Sequence, residues 1–141
     1  MTSFDTVIDR ALTEIQDYKL AKLYQKSSAD FQTYCDGHLV AAIPKFYQAK
    51  PIITYNATNR VFDRDLTDIE ISIVANFWVL EWWEQQKNNA AQIELKLKTP
   101  SSFSYNSEAQ NMKEKQVVID KLREENNRLI TGYQLMSYNG F

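Results

Sequence analysis

The sequence contains few cysteines, which cross-link small proteins, and few glycines and prolines, which form their turns. Its 141 residues include one cysteine, three glycines and three prolines. The lone Cys35 excludes an internal disulfide and fits a reducing compartment. So few glycines and prolines argue against a turn-rich β sandwich, whereas long helices with aromatic packing agree with an aromatic content of 13%.

Neither positive nor negative charge is present in large excess. The formal net charge is −2, and no large block of the chain is basic. Strong non-specific binding to nucleic acid is therefore not encoded. The first fifteen residues are amphipathic and carry acids, unlike a signal peptide, so we expect a product that stays in the cytoplasm.

No hydrophobic run is long enough to span a membrane. The longest, from Ile71 to Trp83, is interrupted only by Ser72, Asn76 and Glu81, and a membrane-spanning helix needs roughly 20 apolar residues. We therefore predict no membrane partner. A helix that is apolar on nearly all sides must instead be surrounded by protein.

This apolar stretch predicts a central helix from Asp65 to Asn89. Thr67 and Glu70 have the spacing of a capping box, in which each side chain bonds the backbone N–H of the other residue. The predicted fold class is mainly α: a small helical bundle around this central buried helix, with a small β-hairpin and a long C-terminal helix. A length of 141 residues fits one domain, which we place at 1–132, followed by a tail at 133–141.

Three further elements are predicted before the central helix. Apolar spacing predicts a first helix from Phe4 to Ile15, and a second runs from Ser28 to about Ile43, where Pro44 ends it. The stretch between them, 17–25, fits either a helical turn or a packed loop. A hairpin is expected within 51–64, and it must lean on the helices or on another chain, because an isolated hairpin is marginal in water.

Two elements are predicted after the central helix. Apolar and charged residues alternate from Ile93 to Leu97, which indicates a short strand. The last helix is expected to begin at Ser107 and end near Thr131, because Gly132 is a typical C-terminal stop. The predicted core comprises Phe31, Leu39, Phe46, Ile69, Ile73, Phe77, Leu80, Ile119 and Leu122.

No motif for catalysis or phosphate binding is present. Cys35 and His38 fall on the apolar side of the second helix, where a buried thiol and a hydrogen-bonded imidazole are more common than a reactive pair. Glu81 fits an ion pair better than a catalytic acid. We predict that the chain is not an enzyme and has no catalytic residues, no metal and no cofactor. Helix capping explains three nearby acids better than a cation site does: Asp63, Asp65 and Asp68.

The last nine residues carry no charge and are rich in large apolar side chains. Interfaces favour such residues, so the segment either folds back on its own domain or docks into another protein. We favour docking, through Tyr133, Leu135, Met136, Tyr138 and Phe141.

Three parts of the sequence together resemble one family. The segment Asp65-Leu66-Thr67, with Glu70-Ile71-Ser72-Ile73 and Glu81-Trp82, is similar to the central helix of the head–tail connector proteins of long-tailed bacteriophages, also called adaptor or neck proteins. Ala42-Ile43-Pro44 with Phe46, and Phe103, Ser107, Ala109-Gln110 and Met112 before a charged helix, resemble other parts of that family. The resemblance covers roughly residues 28–133.

The resemblance implies a structural role in the virion. Family members form a homo-oligomeric ring, usually a dodecamer, beneath the portal protein, where the ring extends the channel for double-stranded DNA and receives the next neck (stopper) protein. The C-terminal segment, here Tyr133 to Phe141, reaches the portal. Such a protein lies in the host cytoplasm during assembly and in the virion neck afterwards, and it contacts passing DNA without reading its sequence.

Two groups of residues follow as site candidates. The subunit interface of a ring would use Trp78, Glu81, Trp82, Trp83, Tyr55 and Phe62. The channel would be lined by Lys96, Lys98, Lys113, Lys121, Glu124 and Glu125. The alternative function is a small helical scaffolding or regulatory module that binds one protein partner; a nucleic-acid binder would need a basic helix or a helix-turn-helix, and neither is found.

Overall fold

The chain folds mainly into helices, as predicted, with one small hairpin and a long C-terminal helix. The computed structural model describes residues 1–15, 18–49, 51–96 and 102–138. In chain order the elements are α1 (Phe4–Leu12), α2 (Tyr18–Lys26), α3 (Ser28–Ala42), a 3₁₀ turn (Ile43–Lys45), β1 (Tyr55–Asn56), β2 (Val61–Phe62), α4 (Asp68–Lys96) and α5 (Ser102–Tyr138).

Helix α4 lies at the centre and packs against α1, α3 and α5. Trp78 is the largest side chain that is fully buried, and its indole N–H donates to the carbonyl of Cys35 in α3 at 2.9 Å. The Trp78 ring also meets the His38 ring edge-on, with ring centroids 5.3 Å apart. Because these contacts come from the chain itself, α4 is surrounded without a second subunit.

Helices α4 and α5 form an antiparallel pair. Tyr133 contacts Glu70, Asn126 contacts Asn76, and Arg123 contacts Glu84, so residues later in α5 meet residues earlier in α4. The Asn76 amide donates to Asn126 at 3.3 Å, and Asn126 is 1% exposed. A buried amide pair between two helices favours one register over its neighbours.

The predicted strand at 93–97 is wrong over the residues that the structure describes. Residues 90–96 continue α4 as a helix, and Leu97 lies outside the described residues. Five alternating residues are too few to separate a strand from a helix. Ala90, Ala91 and Gln92 favour helix, and no glycine or proline separates them from α4.

The predicted bounds of α5 are also wrong at both ends. The helix begins at Ser102 and continues through Gly132 to Tyr138. A glycine inside a helix costs only about 1 kcal/mol, and the packing of Tyr133, 6% exposed, outweighs that cost. Gly132 therefore does not act as a stop. In the ambiguous stretch 17–25, the chain forms α2 from Tyr18 onwards.

The hairpin leans on the N-terminal segment of its own chain. Tyr55 pairs with Phe62 and Asn56 with Val61, so the two strands are shorter than predicted. The Phe62 N–H donates to the Thr2 carbonyl at 2.8 Å, and Ser3 forms a bridge with Val61. The N-terminal residues thus cover the outer edge of β2.

Arg60 joins the hairpin to two helices. It is the one non-glycine residue with positive φ (57°) among those described, and its carbonyl accepts the Phe4 N–H at 2.9 Å. Its guanidinium donates to Asp36 in α3 at 2.7 and 2.9 Å and to Asp5 in α1 at 2.7 Å. These ion pairs raise the pKa of Arg60 further above its ordinary value, and they offset the strain of a left-handed backbone.

Five residues of the predicted core are buried, and four are only partly buried. Leu39, Phe46, Ile73, Leu80 and Ile119 are buried. The other four are partly buried and lie at the margin of the core: Phe31, Ile69, Phe77 and Leu122.

Gly132→Ala should stabilise the protein by about 0.5–1 kcal/mol, because alanine favours an uninterrupted helix. Nothing lies within 4 Å of the added Cβ. Chemical denaturation measures the change, and Gly37→Ala in α3, equally free of neighbours, serves as the matched control. A loss of stability at position 132 would show that the helix ends there.

Trp78→Ala should cost about 3–5 kcal/mol of unfolding free energy, because the ring is 0% exposed and leaves a large cavity. Trp78→Phe keeps an aromatic ring but removes the donor to Cys35, and the lost hydrogen bond alone is worth about 1 kcal/mol. A cost below 1 kcal/mol for the alanine variant would place the ring outside the core.

Candidate functional site

The C-terminal part of α5 is held by a buried carboxylate. Glu70, 2% exposed, accepts two hydrogen bonds from the Arg64 guanidinium, at 2.9 and 2.6 Å. The Tyr133 hydroxyl donates to the same carboxylate at 3.1 Å. One carboxylate thus links α5 to the start of α4 and to the end of the hairpin.

The position of Glu70 follows from the local sequence. Its carboxylate accepts the Thr67 N–H at 2.9 Å, while the Thr67 hydroxyl accepts the Glu70 N–H at 3.3 Å. This is the capping box that the spacing predicts, and it is confirmed. The cap fixes the carboxylate at the first turn of α4, where the positive end of the helix dipole favours negative charge.

The carboxylate stays ionised although it is buried. Burial by itself would raise the pKa of Glu70, but the hydrogen bonds from Arg64, Thr67 and Tyr133 together outweigh it and lower the pKa to about 2. The same carboxylate raises the pKa of Arg64. Both groups are therefore charged at neutral pH, and each neutralises the other.

The predicted docking residues divide into two sets. Tyr133 is 6% exposed and packs on Phe46, with ring centroids 5.1 Å apart, so it belongs to the core and is not free to dock. Leu135 and Met136 are 58% and 59% exposed. The side chain of Tyr138, and Phe141, lie outside what the structure describes. The segment is helical to Tyr138, so residues 133–138 continue α5 without a break.

Three of the predicted subunit-interface residues lie in the chain's own core. Trp78 and Phe62 are 0% exposed and Trp82 is 6% exposed, so this fold offers almost none of their surface to a second subunit. Trp78 and Trp82 were placed at an interface because α4 is apolar all round, but α1, α3 and α5 cover it. Phe62 was placed there with the hairpin, which leans on the N-terminal segment of its own chain. Three residues remain partly exposed: Tyr55, Glu81 and Trp83.

Glu81 forms an ion pair with Lys45, the last residue of the 3₁₀ turn, as its predicted structural role requires. Trp83 meets Trp82 edge-on at 4.9 Å between ring centroids. The indole N–H of Trp82 is buried without a hydrogen-bond partner among the described residues.

The four channel-lining candidates on α5 have exposed side chains. Lys113, Lys121, Glu124 and Glu125 are all exposed. Charges of both signs therefore lie on the exposed surface of the helix, and Arg128 donates to Glu124 at 2.7 Å. Of the other candidates, Lys96 has a described backbone in α4 but no described side chain, and Lys98 lies outside the described residues.

The Cys35 and His38 pair has no reactive chemistry in this conformation. Burial, followed by the nearby Asp36 charge, raises the pKa of the Cys35 thiol to about 12, so the thiol stays protonated at neutral pH. Burial also lowers the pKa of His38. The side chains are a buried thiol and an imidazole that lies between the rings of Tyr34 and Trp78 and contacts both edge-on.

The acids near the hairpin have separate partners. Asp65 pairs with the terminal amine at 2.7 Å, and Asp68 lies 3.7 Å from the guanidinium of Arg10. Within the described ranges, no three His, Cys, Asp or Glu side chains are grouped so that they hold a metal ion.

Sequence reasoning missed Arg64 and Arg60. Each lies in or beside a turn, where no apolar periodicity marks it, and each binds acids on other elements. An arginine beside a turn, in a chain with buried acids, was the available signal, and this signal is weak. Asn126 was treated as an interruption of the apolar stripe, although it is buried against Asn76.

Comparisons with known proteins do not identify a family for this chain. No family model, no curated protein and no solved structure matches the chain. No helix in the described part of the chain has the length and apolar character that crossing a membrane requires. The resemblance to phage connectors therefore remains a prediction from the sequence.

Acid should destabilise the protein through Glu70. Its ordinary pKa is 4.5 and its folded pKa is about 2, so the unfolded chain binds the proton more readily in this window. The contribution of Glu70 is full above pH 4.5 and is lost as pH falls towards 2. We expect Glu70→Gln to flatten the fall in unfolding free energy between these pH values.

At neutral pH, Glu70→Gln should cost about 3 kcal/mol, because it removes the carboxylate that pairs with the partly buried Arg64, and Tyr133→Phe about 1 kcal/mol. Glu125→Gln, at an exposed position of α5, is the matched control. If Glu70→Gln keeps the full acid dependence of the unaltered protein, Glu70 is not the group responsible.

Proposed function

We propose that this protein is a structural component of the phage neck, which forms a ring beneath the portal protein, extends the DNA channel and joins head to tail. The observation that carries the proposal is the end of α5. It displays Leu135 and Met136 to solvent on a helix that Tyr133 fixes to Glu70. The sequence resemblance over residues 28–133 supports the same assignment.

A fixed helix end changes the energetics of docking. Ordering a loose segment costs about 1–2 kcal/mol per residue in backbone entropy. Residues 133–138 are already helical in the single chain, so this cost falls on folding and not on binding. Each apolar side chain that the portal covers then contributes roughly 1.5–3 kcal/mol, and many copies in a ring act together.

The exposed face of α5 suits a channel wall. Lys113, Lys121, Glu124 and Glu125 give mixed charge, and a surface with few unbalanced cations releases few counterions from DNA. DNA then slides past without being held. The ring, of twelve copies as is usual in the family that the sequence resembles, would offer its other rim to the stopper protein.

We expect docking to depend on the last residues and not on the fold. A chain truncated after Gln134 keeps Tyr133 and should stay folded, but it should fail to attach to portal-bearing heads. The measurement is co-sedimentation with purified heads, followed by negative-stain imaging for annular particles. Met136→Ser should weaken attachment at least about 10-fold, since one buried side chain is lost in each subunit.

Ile52→Ser is the matched control, because Ile52 is another exposed apolar residue, is 79% exposed and lies outside α5. It should leave attachment unchanged. If the truncated chain still attaches, the docking role is wrong. A one-to-one complex with no ring would favour the scaffolding or regulatory module instead.

A further inference from the structure

The outward face of α5 carries a regular line of exposed residues. They follow one another at alternating spacings of four and three residues, the spacing of the contact positions in a coiled coil. Every member is exposed in the single chain. We call this line the outer seam: Val117, Lys121, Glu124, Arg128, Thr131 and Leu135.

The two ends of the outer seam are apolar. Val117 and Leu135 are 67% and 58% exposed. They are 18 residues apart, which is five turns of an α-helix, so they lie on the same side of α5. The opposite side of the helix is buried against α4, as Asn126 shows. No other helix or strand in the described part of the chain therefore packs on the outer seam.

The chemistry of the outer seam is symmetric about position 126. Val117 and Leu135 are equally distant from it, and so are Glu124 and Arg128. An antiparallel copy of the helix would place Val117 opposite Leu135, and Glu124 opposite Arg128, each twice. A parallel copy in register would place Glu124 against Glu124 and Arg128 against Arg128, and such like-charge contacts are unfavourable.

We propose that the outer seam pairs with the outer seam of a second copy of this chain, antiparallel and centred at residue 126. A two-fold interface of this kind uses the same surface on both copies. The central layer would contain two Glu124–Arg128 contacts between chains, flanked by an apolar contact at each end. The proposal rests on the exposed residues of the seam and not on the proposed function. Lys121, Glu124 and Leu135 also belong to the proposed channel wall and portal contact, so the dimer is a state of the free protein that must separate before a ring forms.

The surface at the middle of the seam is slightly concave. A shallow groove of about 530 Å³ is lined by Asp120, Arg123, Glu124, Asn127, Arg128 and Thr131. Within one chain Arg128 already donates to Glu124, but a guanidinium has five N–H donors, so it can bind a second carboxylate at the same time.

The expected association is weak. Eighteen residues of helix span about 27 Å, and one helix per copy buries less than the roughly 1,600 Å² of a standard interface. Three of the six seam positions are charged, which limits the apolar contribution. We therefore expect a dimer that forms in the range of tens of micromolar and above.

Charge reversal tests the pairing in the full chain. Light scattering and sedimentation should show a concentration-dependent dimer for the unaltered protein. Glu124→Arg gives two positive charges at the centre and Arg128→Glu gives two negative charges, so each variant alone should dimerise at least about 10-fold more weakly. An equimolar mixture of the two should restore the dimer, because opposite charges then face each other at both contacts.

Cysteine cross-linking tests the direction. The native Cys35 is 1% exposed, so it does not compete under mild oxidation. Val117→Cys mixed with Leu135→Cys should give a disulfide between the two variants, whereas Val117→Cys mixed with Gln134→Cys is the off-seam control and should react much more slowly. Circular dichroism confirms that each variant is folded.

Three results would overturn the proposal. One is a monomer throughout at several hundred micromolar. Another is unchanged dimerisation of both charge-reversal variants, which would place the contact elsewhere. The third is efficient disulfide formation by Val117→Cys alone, which would show a parallel pair.

Discussion

A single buried charge determines how the ends of the chain's elements meet. The Glu70 carboxylate is removed from water, and an ion in that position is costly unless it is paired and hydrogen-bonded. The hairpin contributes Arg64, the cap of α4 contributes Thr67, and α5 contributes Tyr133. Three segments must therefore meet at the Glu70 carboxylate. The contact of Tyr133 with this carboxylate sets the direction of the exposed end of α5.

The parts that the sequence predicted correctly depend on neighbouring residues. The capping box needs only Thr67 and Glu70, three positions apart, and its geometry is confirmed. The central helix and the second helix likewise follow from local apolar patterns and from Pro44. The partners of Glu70 were not predictable in this way, because Tyr133 is 63 residues from it in sequence and no local pattern encodes that contact.

The errors arise where tertiary packing outweighs a local preference. Gly132 is a common helix stop, yet Tyr133 has a buried site to fill and the helix continues. Trp78 suggested an interface because the helix around it is apolar on all sides, but the chain supplies its own cover. The sequence assigned Lys121 and Glu124 to a channel wall and Leu135 to docking, because no apolar pattern marks the line that they form on the exposed side of α5.

The N-terminal residues beside the hairpin have a consequence for the order of events during synthesis. Thr2 and Phe4 bond to Phe62 and Arg60, so the two halves of this contact leave the ribosome about 60 residues apart. At roughly 5–20 residues per second, the first segment waits for roughly 3–12 seconds before its partner exists. Helix α1 cannot complete its packing in that interval, so its buried face, including Phe4 and Val7, stays exposed to water and to chaperones until the hairpin has been synthesised.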